Sequence, residues 1–589
     1  MSKTRRQDSF RPRLAKRTAA RGRAASLLLG QVAGWTARPS IRGAVARYWF
    51  VPALGVEILL SLTLALDRVW HSRLELDEGF YLTAGSHVFE GQVPYRDFPF
   101  FQGPLSAYVY GISQWAVGPE ILSGRATSFV LFAISLLAGI RLAWLYGGRI
   151  GALLFPFLFV LSPLGLYTLL TVRTHPLSTT LLLLLSLSLS ERIPDGWKWS
   201  LAILLSALAF LTRVSMFPLF LGVVAFAAYR MRHRPNFLWG FAYAGIAIGV
   251  ATLFFASRIG WDRLYFNLVE SQLRRDTQWA VAFNTAPEIS LRSIVTGAMR
   301  GFHEFPVPFL AGLFGLSYLA WNRSLGLLRR VGTNVASPLY LHTLLAIGWT
   351  AYLPQLVTRV VFPHYFVPSA AVLSAFAAGV VGSLWSRRRL RRVVFPLGAS
   401  LVFLQSAAYY TGDGDWWSEQ WPPIDALRST AEVVRSVTPE NERVFTLDLT
   451  VTVEAHRNTP DELAMGPWSY WRTLDHEEAS RLGVVRTDSI WWLLLRSDVS
   501  TVVLTDFSLG VLLKGTMFGC VAQPLSEQEL KWAFPELSRF DLVEVTTLPG
   551  FGPTYILRKA EAPAEPPRLP VGCVRPGCEN LATRSPYRP

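Results

Sequence analysis

The feature that most limits what this chain can become is a series of apolar runs. Each is near the ~20 residues a helix needs to cross about 30 Å of hydrocarbon. They fall at 48–66, 124–145, 151–170, 176–191, 199–213, 216–230, 237–257, 306–321, 339–357, 366–384 and 393–410. The pattern predicts a polytopic α-helical membrane protein with about eleven transmembrane helices. Composition agrees: 51% of residues are hydrophobic and 17% are charged. Soluble domains carry about 25% charged residues.

The net charge of +16 is placed as a membrane protein would place it. With the N-terminus inside, the inner loops are 146–150, 192–198, 231–236, 322–338 and 385–392. Each carries Arg or Lys, from Arg149 in the first to Arg387, Arg388, Arg389, Arg391 and Arg392 in the last. Cytoplasmic flanks collect basic residues in this way, so nucleic acid is excluded as a partner. Residues 1–45 read as a basic, disordered cytoplasmic arm. Its first 24 residues lack an apolar core and are no secretory signal. The three cysteines, Cys520, Cys573 and Cys578, imply no disulfide framework.

The stretch PLSAYVYGISQWAVG, 104–118, is short and contains Ser106, Ser113 and Gln114. Counting it as a span would flip every later loop and break the charge pattern. It is expected to lie at the interface, where aromatic rings prefer to sit. The outer face then receives 67–123, short loops near 171–175 and 214–215, the loop 258–305, the turn near 358–365, and everything after about 411. The membrane module is thus 46–410, with outer loop 67–123. From 411 the chain becomes polar. It predicts helix 424–437, strands 443–450 and 501–505, helix 526–533, and strands 541–546 and 554–558. That is a small C-terminal α/β domain, 411–560, on the extracytoplasmic side of the cell membrane. A Pro-rich tail, 561–589, follows.

Candidate chemistry concentrates in HSRLELDEGFYLTAGSHVFEGQVPYRDFPFFQGP, residues 71–104. Asp77 and Glu78 sit just beyond the first span. A carboxylate held there is suited to act as a general base. Asp77 fits equally well as the N-cap of a helix beginning at Glu78. The residues that follow alternate apolar and small positions and are expected to lie along the membrane surface. Outer-face cations and hydrogen-bonding groups are Arg96, Asp97, Gln102, Arg173, His175, Arg213, Arg359, His364 and Tyr365. Any single one can anchor a helix by snorkelling. Several converging near the acidic pair would make a substrate-binding site for phosphate or diphosphate. His175 and His364 are candidate ligands for a divalent metal, but no carboxylate or Cys stands at matching spacing, so no metal set is assigned. Asp475–Glu478, DHEE, reads as an exposed charged turn. The C-terminal domain is expected to recognise the acceptor or cover the site.

Two stretches carry a family resemblance: LDEGFYLTAGSHVFEGQVPYRDFPFFQGPLSAYVYGISQWAVG, and VVFPHYFVPSAAVLSAFAAG further on. They resemble the GT-C glycosyltransferases, in the branch of bacterial protein O-mannosyltransferase-like and aminoarabinose-transferase-like enzymes (glycosyltransferase family 39 and relatives). The resemblance covers about residues 45–410. It implies a polyprenyl-phosphate-linked sugar as donor, an envelope acceptor (lipid, glycan or protein) and inverting transfer at the outer membrane face. Asp77 matches the family's catalytic carboxylate and Glu78 its acidic neighbour. Two positions depart from the pattern. Gly103 stands where aminoarabinose transferases carry Lys, and Arg173-Thr174-His175-Pro176 stands where many members carry Asp. Both argue against an aminoarabinose transferase. A lipid-linked sugar transporter or flippase would explain the spans and cations, but such sites usually lie at the bilayer midplane. An inactive membrane scaffold is the other alternative.

Overall fold

A computed structural model describes residues 49–191, 193–231, 256–274, 291–325, 338–356, 362–385, 423–486, 489–514 and 524–560, with scattered positions within 245–254 and 392–404. The expected N-terminal arm, the Pro-rich tail, the three cysteines and Arg359 lie outside the described residues. By compactness the chain divides into 1–57 and 58–589. The apolar helices beyond residue 57 and the C-terminal sheet fall in the second of these.

The first helices in chain order are α1 (Phe50–His71), α2 (Leu76–Phe89), α3 (Leu105–Val117), α4 (Ile121–Val160), α5 (Pro163–Leu170), α6 (Thr174–Ser190), α7 (Asp195–Thr212) and α8 (Phe217–Met231). They are followed by α9 (Trp261–Tyr265), α10 (Leu291–Glu304), α11 (Pro306–Leu325), α12 (Pro338–Leu356) and α13 (Val367–Trp385). Among the described residues, 4 helices are long and apolar enough to cross a membrane: Phe50–His71, Ile121–Val160, Val214–Met231 and Pro363–Trp385. About eleven were expected from the apolar runs. Part of the gap is length, since α6 has only 17 residues. Part is that most of 237–257 and 393–410 lies outside the described residues.

The long α4 holds the expected span 124–145 and the first half of 151–170, the rest of which lies in α5. Gly148 has φ 60° and ψ −150° inside it, a backbone state that glycine tolerates best. A Cβ built on Gly139 would strike the Phe155 ring, and one on Gly151 would strike the Ala143 carbonyl. In a straight helix residues 139 and 155 would stand about 24 Å apart. The chain therefore doubles back at Gly148, inside the expected inner loop 146–150.

Helix α2 is not on a surface. Glu78 through Gly85 are all buried, and so is His87. Helix α3 covers one side. Gln114 donates to the Leu82 carbonyl (2.8 Å) and accepts from the Ser86 hydroxyl (2.7 Å). Gly85 and Gly111 let the two backbones approach too closely for a Cβ at either position. Helix α3 turns its polar residues inward and leaves Ile112, Trp115 and Val117 exposed. Its 13 residues span about 20 Å, short of a bilayer core. An exposed apolar face on a short helix suits a helix lying in the interface plane.

The C-terminal region covers α2 from another side. Here α14 (Pro423–Val437) precedes β1 (Arg443–Phe445) and α15 (Leu449–Ala455). There follow α16 (His476–Leu482), α17 (Ile490–Leu494), β2 (Val499–Thr505), α18 (Asp506–Lys514), α19 (Glu527–Ala533), β3 (Phe540–Leu548) and β4 (Gly552–Lys559). The sheet order is β1-β2-β4-β3; β1 and β2 are parallel, and β3 and β4 form an antiparallel hairpin. The predicted strand 443–450 ends at Phe445, and Leu449 starts a helix. That helix lies directly on α2: a Cβ on Gly79 would come within 2.5 Å of the Thr450 nitrogen. Glu454 accepts from the Ile121 backbone N–H (3.0 Å) and from Arg428 (3.0 Å), tying α15 to the start of α4.

Asp448 caps α15, its Oδ1 accepting from the Thr450 N–H at 3.2 Å. Its Oδ2 is buried with no hydrogen-bond partner. Burial pushes the carboxyl up to about 6. A raised folded value favours the protonated form. The stabilisation is complete below the unfolded value near 4 and is lost as pH rises through about 6. The unfolding midpoint of the wild type is therefore expected to fall more from pH 4 to pH 7 than that of Asp448→Asn. The differential is on the order of 3 kcal/mol, readable by thermal unfolding of the full chain in detergent.

Candidate active site

The site is built on a buried ion pair. Arg125, near the start of α4, and Glu78, on the first turn of α2, are both wholly buried. Arg125 Nε and Nη2 donate to the two Glu78 oxygens at 2.8 and 2.6 Å. Its remaining donors reach the carbonyls of Val69 (2.8 Å), Ser72 (3.2 Å) and Arg73 (2.9 Å). All five guanidinium N–H groups are thereby used. Glu78 also accepts from the backbone N–H of Glu75 (3.2 Å) and Val172 (3.1 Å). A carboxylate offers about four acceptor positions, so Glu78 is saturated. The pair pins the end of α1, the start of α2, the start of α4 and the 171–173 turn to one point.

That point presents Asp77. The N-cap of α2 is Glu75, not Asp77. Asp77 occupies the second helical position, half-buried, and its charge acts on both Tyr81 and Arg173. Arg173 Nη2 pairs with Glu75 at 2.6 Å, and Glu75 also accepts from the Tyr167 hydroxyl at 2.6 Å. The Arg173 backbone is fixed by Tyr110, which accepts from its N–H (3.2 Å) and donates to its carbonyl (2.7 Å). Yet Arg173 Nε and Nη1 are buried with no hydrogen-bond partner. Two unmet guanidinium donors are costly unless a ligand meets them.

A second group adjoins the first. Arg213, at the end of α7, makes a close hydrogen bond to His175 Nε2. A guanidinium only donates, so the His175 ring is neutral and its proton sits on Nδ1, which is buried without a partner. The His175 ring stacks on Tyr365 (centroids 6.2 Å apart) and meets His364 edge-on at 5.2 Å. Arg213 lies over the Tyr365 ring at 5.2 Å. Tyr81 joins the two groups: its hydroxyl bonds the Thr174 side chain, and Asp77, Arg213 and Arg173 all act on it. Burial, reinforced by the Asp77 charge, pushes its phenol well up, so it stays a hydroxyl. Gly103 has a local reason to be glycine: any Cβ there would meet the Leu211 carbonyl at 2.1 Å. A lysine cannot occupy that position with this backbone.

The residues expected on the outer face thus separate. Asp77, Arg173, His175, Arg213, His364 and Tyr365 come together. Arg96 and Asp97 do not join them; they pair with each other at 2.7 and 2.8 Å on the surface. Gln102 offers its carbonyl to the Tyr95 hydroxyl at 2.7 Å. Sequence reasoning missed Glu75, Tyr81, Arg125 and Tyr167. Only Glu75 carried a local signal, standing three residues before Glu78 in a reciprocal capping arrangement. Among the described residues, no group of three or more His, Cys, Asp or Glu side chains could hold a metal ion.

The fold is that of the GT-C membrane glycosyltransferases, on its likeness to solved structures. The solved structure of ArnT from Cupriavidus metallidurans, bound to undecaprenyl phosphate, matches at a TM-score of 0.50. The match covers 88% of this chain and 99% of that one, at 12% identity. The Archaeoglobus fulgidus oligosaccharyltransferase in its apo form gives 0.45 over 86% and 80%, at 15% identity. Arabinofuranosyltransferase AftD from Mycobacteria gives 0.40 over 88% and 40%, at 16% identity. No family model and no curated protein matches the chain. At these identities the likeness is one of fold.

Proposed function

We propose that this chain transfers a sugar from a polyprenyl-phosphate donor to an envelope acceptor at the outer face of the cell membrane. One observation carries the reading: Asp77 stands beside Arg173, whose two buried donors have no partner. A phosphate oxygen is what such donors fit, because guanidinium geometry matches phosphate bidentately. A polyprenyl phosphate is the class of ligand held by ArnT in its solved complex.

Asp77 takes the proton from an acceptor hydroxyl as that oxygen attacks the anomeric carbon. The new C–O bond forms from the face opposite the phosphate, so the anomeric centre inverts. The C–O bond to phosphate breaks, and its electron pair leaves with the polyprenyl phosphate. Arg173 meets the charge that develops there. Arg213 and His175 hold the sugar or a second phosphate oxygen, with His364 and Tyr365 backing them. Glu78 does no proton transfer; it positions Asp77.

Transfer of labelled sugar from a polyprenyl phosphate in membrane vesicles tests the role of Arg173. Arg173→Gln is expected to lower kcat/KM for the donor by about 10²-fold, with little change in acceptor KM. An unchanged donor dependence would remove Arg173 from the phosphate site.

A further inference from the structure

Away from this site the structure carries a cleft of about 430 Å³. Its walls are the Tyr95–Pro99 turn after α2, Arg263 of α9, the Asp461–Glu462 pair and residues of α16 and α17. Its size falls within the roughly 300–1,000 Å³ of small-molecule sites. We infer that it binds a neutral saccharide chain, a stretch of the acceptor remote from the reacting centre. The inference rests on the transferase reading above.

The charge arrangement selects the ligand class. Arg96 is held by Asp97, Glu462 lies 3.2 Å from Arg496, and Asp461 lies 3.1 Å from Arg443. Arg263 donates to the backbone carbonyls of Arg96 and Arg481. Arg96, Asp461 and Glu462 are thus ion-paired, and Arg263 is held by two backbone carbonyls. The cleft therefore offers many hydrogen-bonding atoms and little net field, which suits neither an anion nor a cation. A hydroxyl-rich neutral molecule can use the spare lone pairs and N–H groups.

The rim supplies an apolar platform. Trp492 lines the cleft and is 68% exposed. The C–H face of a sugar ring packs well against an indole face, and Trp is well suited where one side is apolar and the other wet. The opposite wall is rigid. Tyr95 has φ 70°, an uncommon state for a non-glycine residue. It is held by its N–H to the Phe98 carbonyl (2.9 Å), its hydroxyl to Gln102, and Asp97 accepting from the Val93 N–H (2.7 Å). Strain kept by so many constraints tends to mark a functional wall.

Position fixes the length of the ligand. Asp77 is on the first turn of α2 and the cleft begins just past the last turn. A helix of 14 residues is about 21 Å long. A molecule reaching from the cleft toward Asp77 is therefore a chain of sugars, not a single ring.

The test is direct binding to the purified full chain in detergent, read by calorimetry and tryptophan fluorescence. The probes are mannotetraose, cellotetraose and an arabinose tetramer, with a sulfated tetrasaccharide and a mixed peptide as controls. At least one neutral tetramer should bind the wild type. Trp492→Ala should weaken it about tenfold or more, Trp492→Phe should restore most of it, and the exposed site predicts no change in unfolding midpoint. Failure of every neutral tetramer to bind, equal binding by Trp492→Ala, or binding of only the sulfated sugar or the peptide would overturn the inference. Transfer is assayed separately. If Asp77→Asn transfers normally while Trp492→Ala loses binding, the reaction scheme falls and the cleft stands.

Discussion

Asp77→Asn is expected to lower sugar transfer by about 10²–10⁴-fold, the usual cost of removing a general base, while the protein still inserts and folds. Asn matches Asp in size, and the N-cap of α2 is Glu75, so the helix start does not depend on residue 77. The pinning of α2 to α1 and α4 runs through Glu78 and Arg125. Arg173 keeps Glu75 as an ion-pair partner. What Asn lacks is the ability to take a proton. The assay is transfer from a defined polyprenyl-phosphate sugar in vesicles, with the donor consumed counted alongside product. Wild-type rates in Asp77→Asn would exclude this loop as the chemical centre. Donor that crosses the membrane without being consumed would favour a transporter instead.

Local patterns that decide themselves over a few residues were readable in the sequence. The strands predicted at 541–546 and 554–558 are β3 and β4, and the helix predicted at 526–533 is α19. Its Ser526 and Glu529 form a capping box, a signal contained within four residues. Failures came where distant residues decide. Leu449–Ala455, LTVTVEA, reads as a strand because Thr and Val favour strands. Asp448 caps it and all seven residues are buried, so packing overrode propensity. Residues 76–89 have an interfacial pattern only if one side meets lipid; α3 and α15 close over them instead. The candidate site divides in the same way. That Arg173 and His175 share a turn is visible in the chain. That Arg213, His364 and Tyr365 meet them is not, because the meeting depends on how α6, α7 and α13 pack.

The Glu78–Arg125 pair is the clearest such case, and it makes the largest stability prediction. The partners stand 47 positions apart, and nothing in either neighbourhood marks the other. From sequence, Glu78 reads as Asp77's chemical partner; in the fold it has no accessible surface and no spare acceptor position. Arg125→Met should destabilise the protein by about 3–5 kcal/mol, because it strands a buried carboxylate. Glu78→Gln should cost a similar amount by stranding the guanidinium. Both should lower the unfolding midpoint in detergent and the amount of folded protein in membranes. The double variant Glu78→Gln with Arg125→Met should cost clearly less than the sum, since it removes both charges and leaves only neutral polar groups unmet. Activity separates this role from catalysis: at a temperature where Glu78→Gln remains folded, its transfer should fall far less than that of Asp77→Asn. Equal loss in both, with Glu78→Gln as stable as wild type, would return Glu78 to the chemistry and leave the buried pair without its scaffolding role.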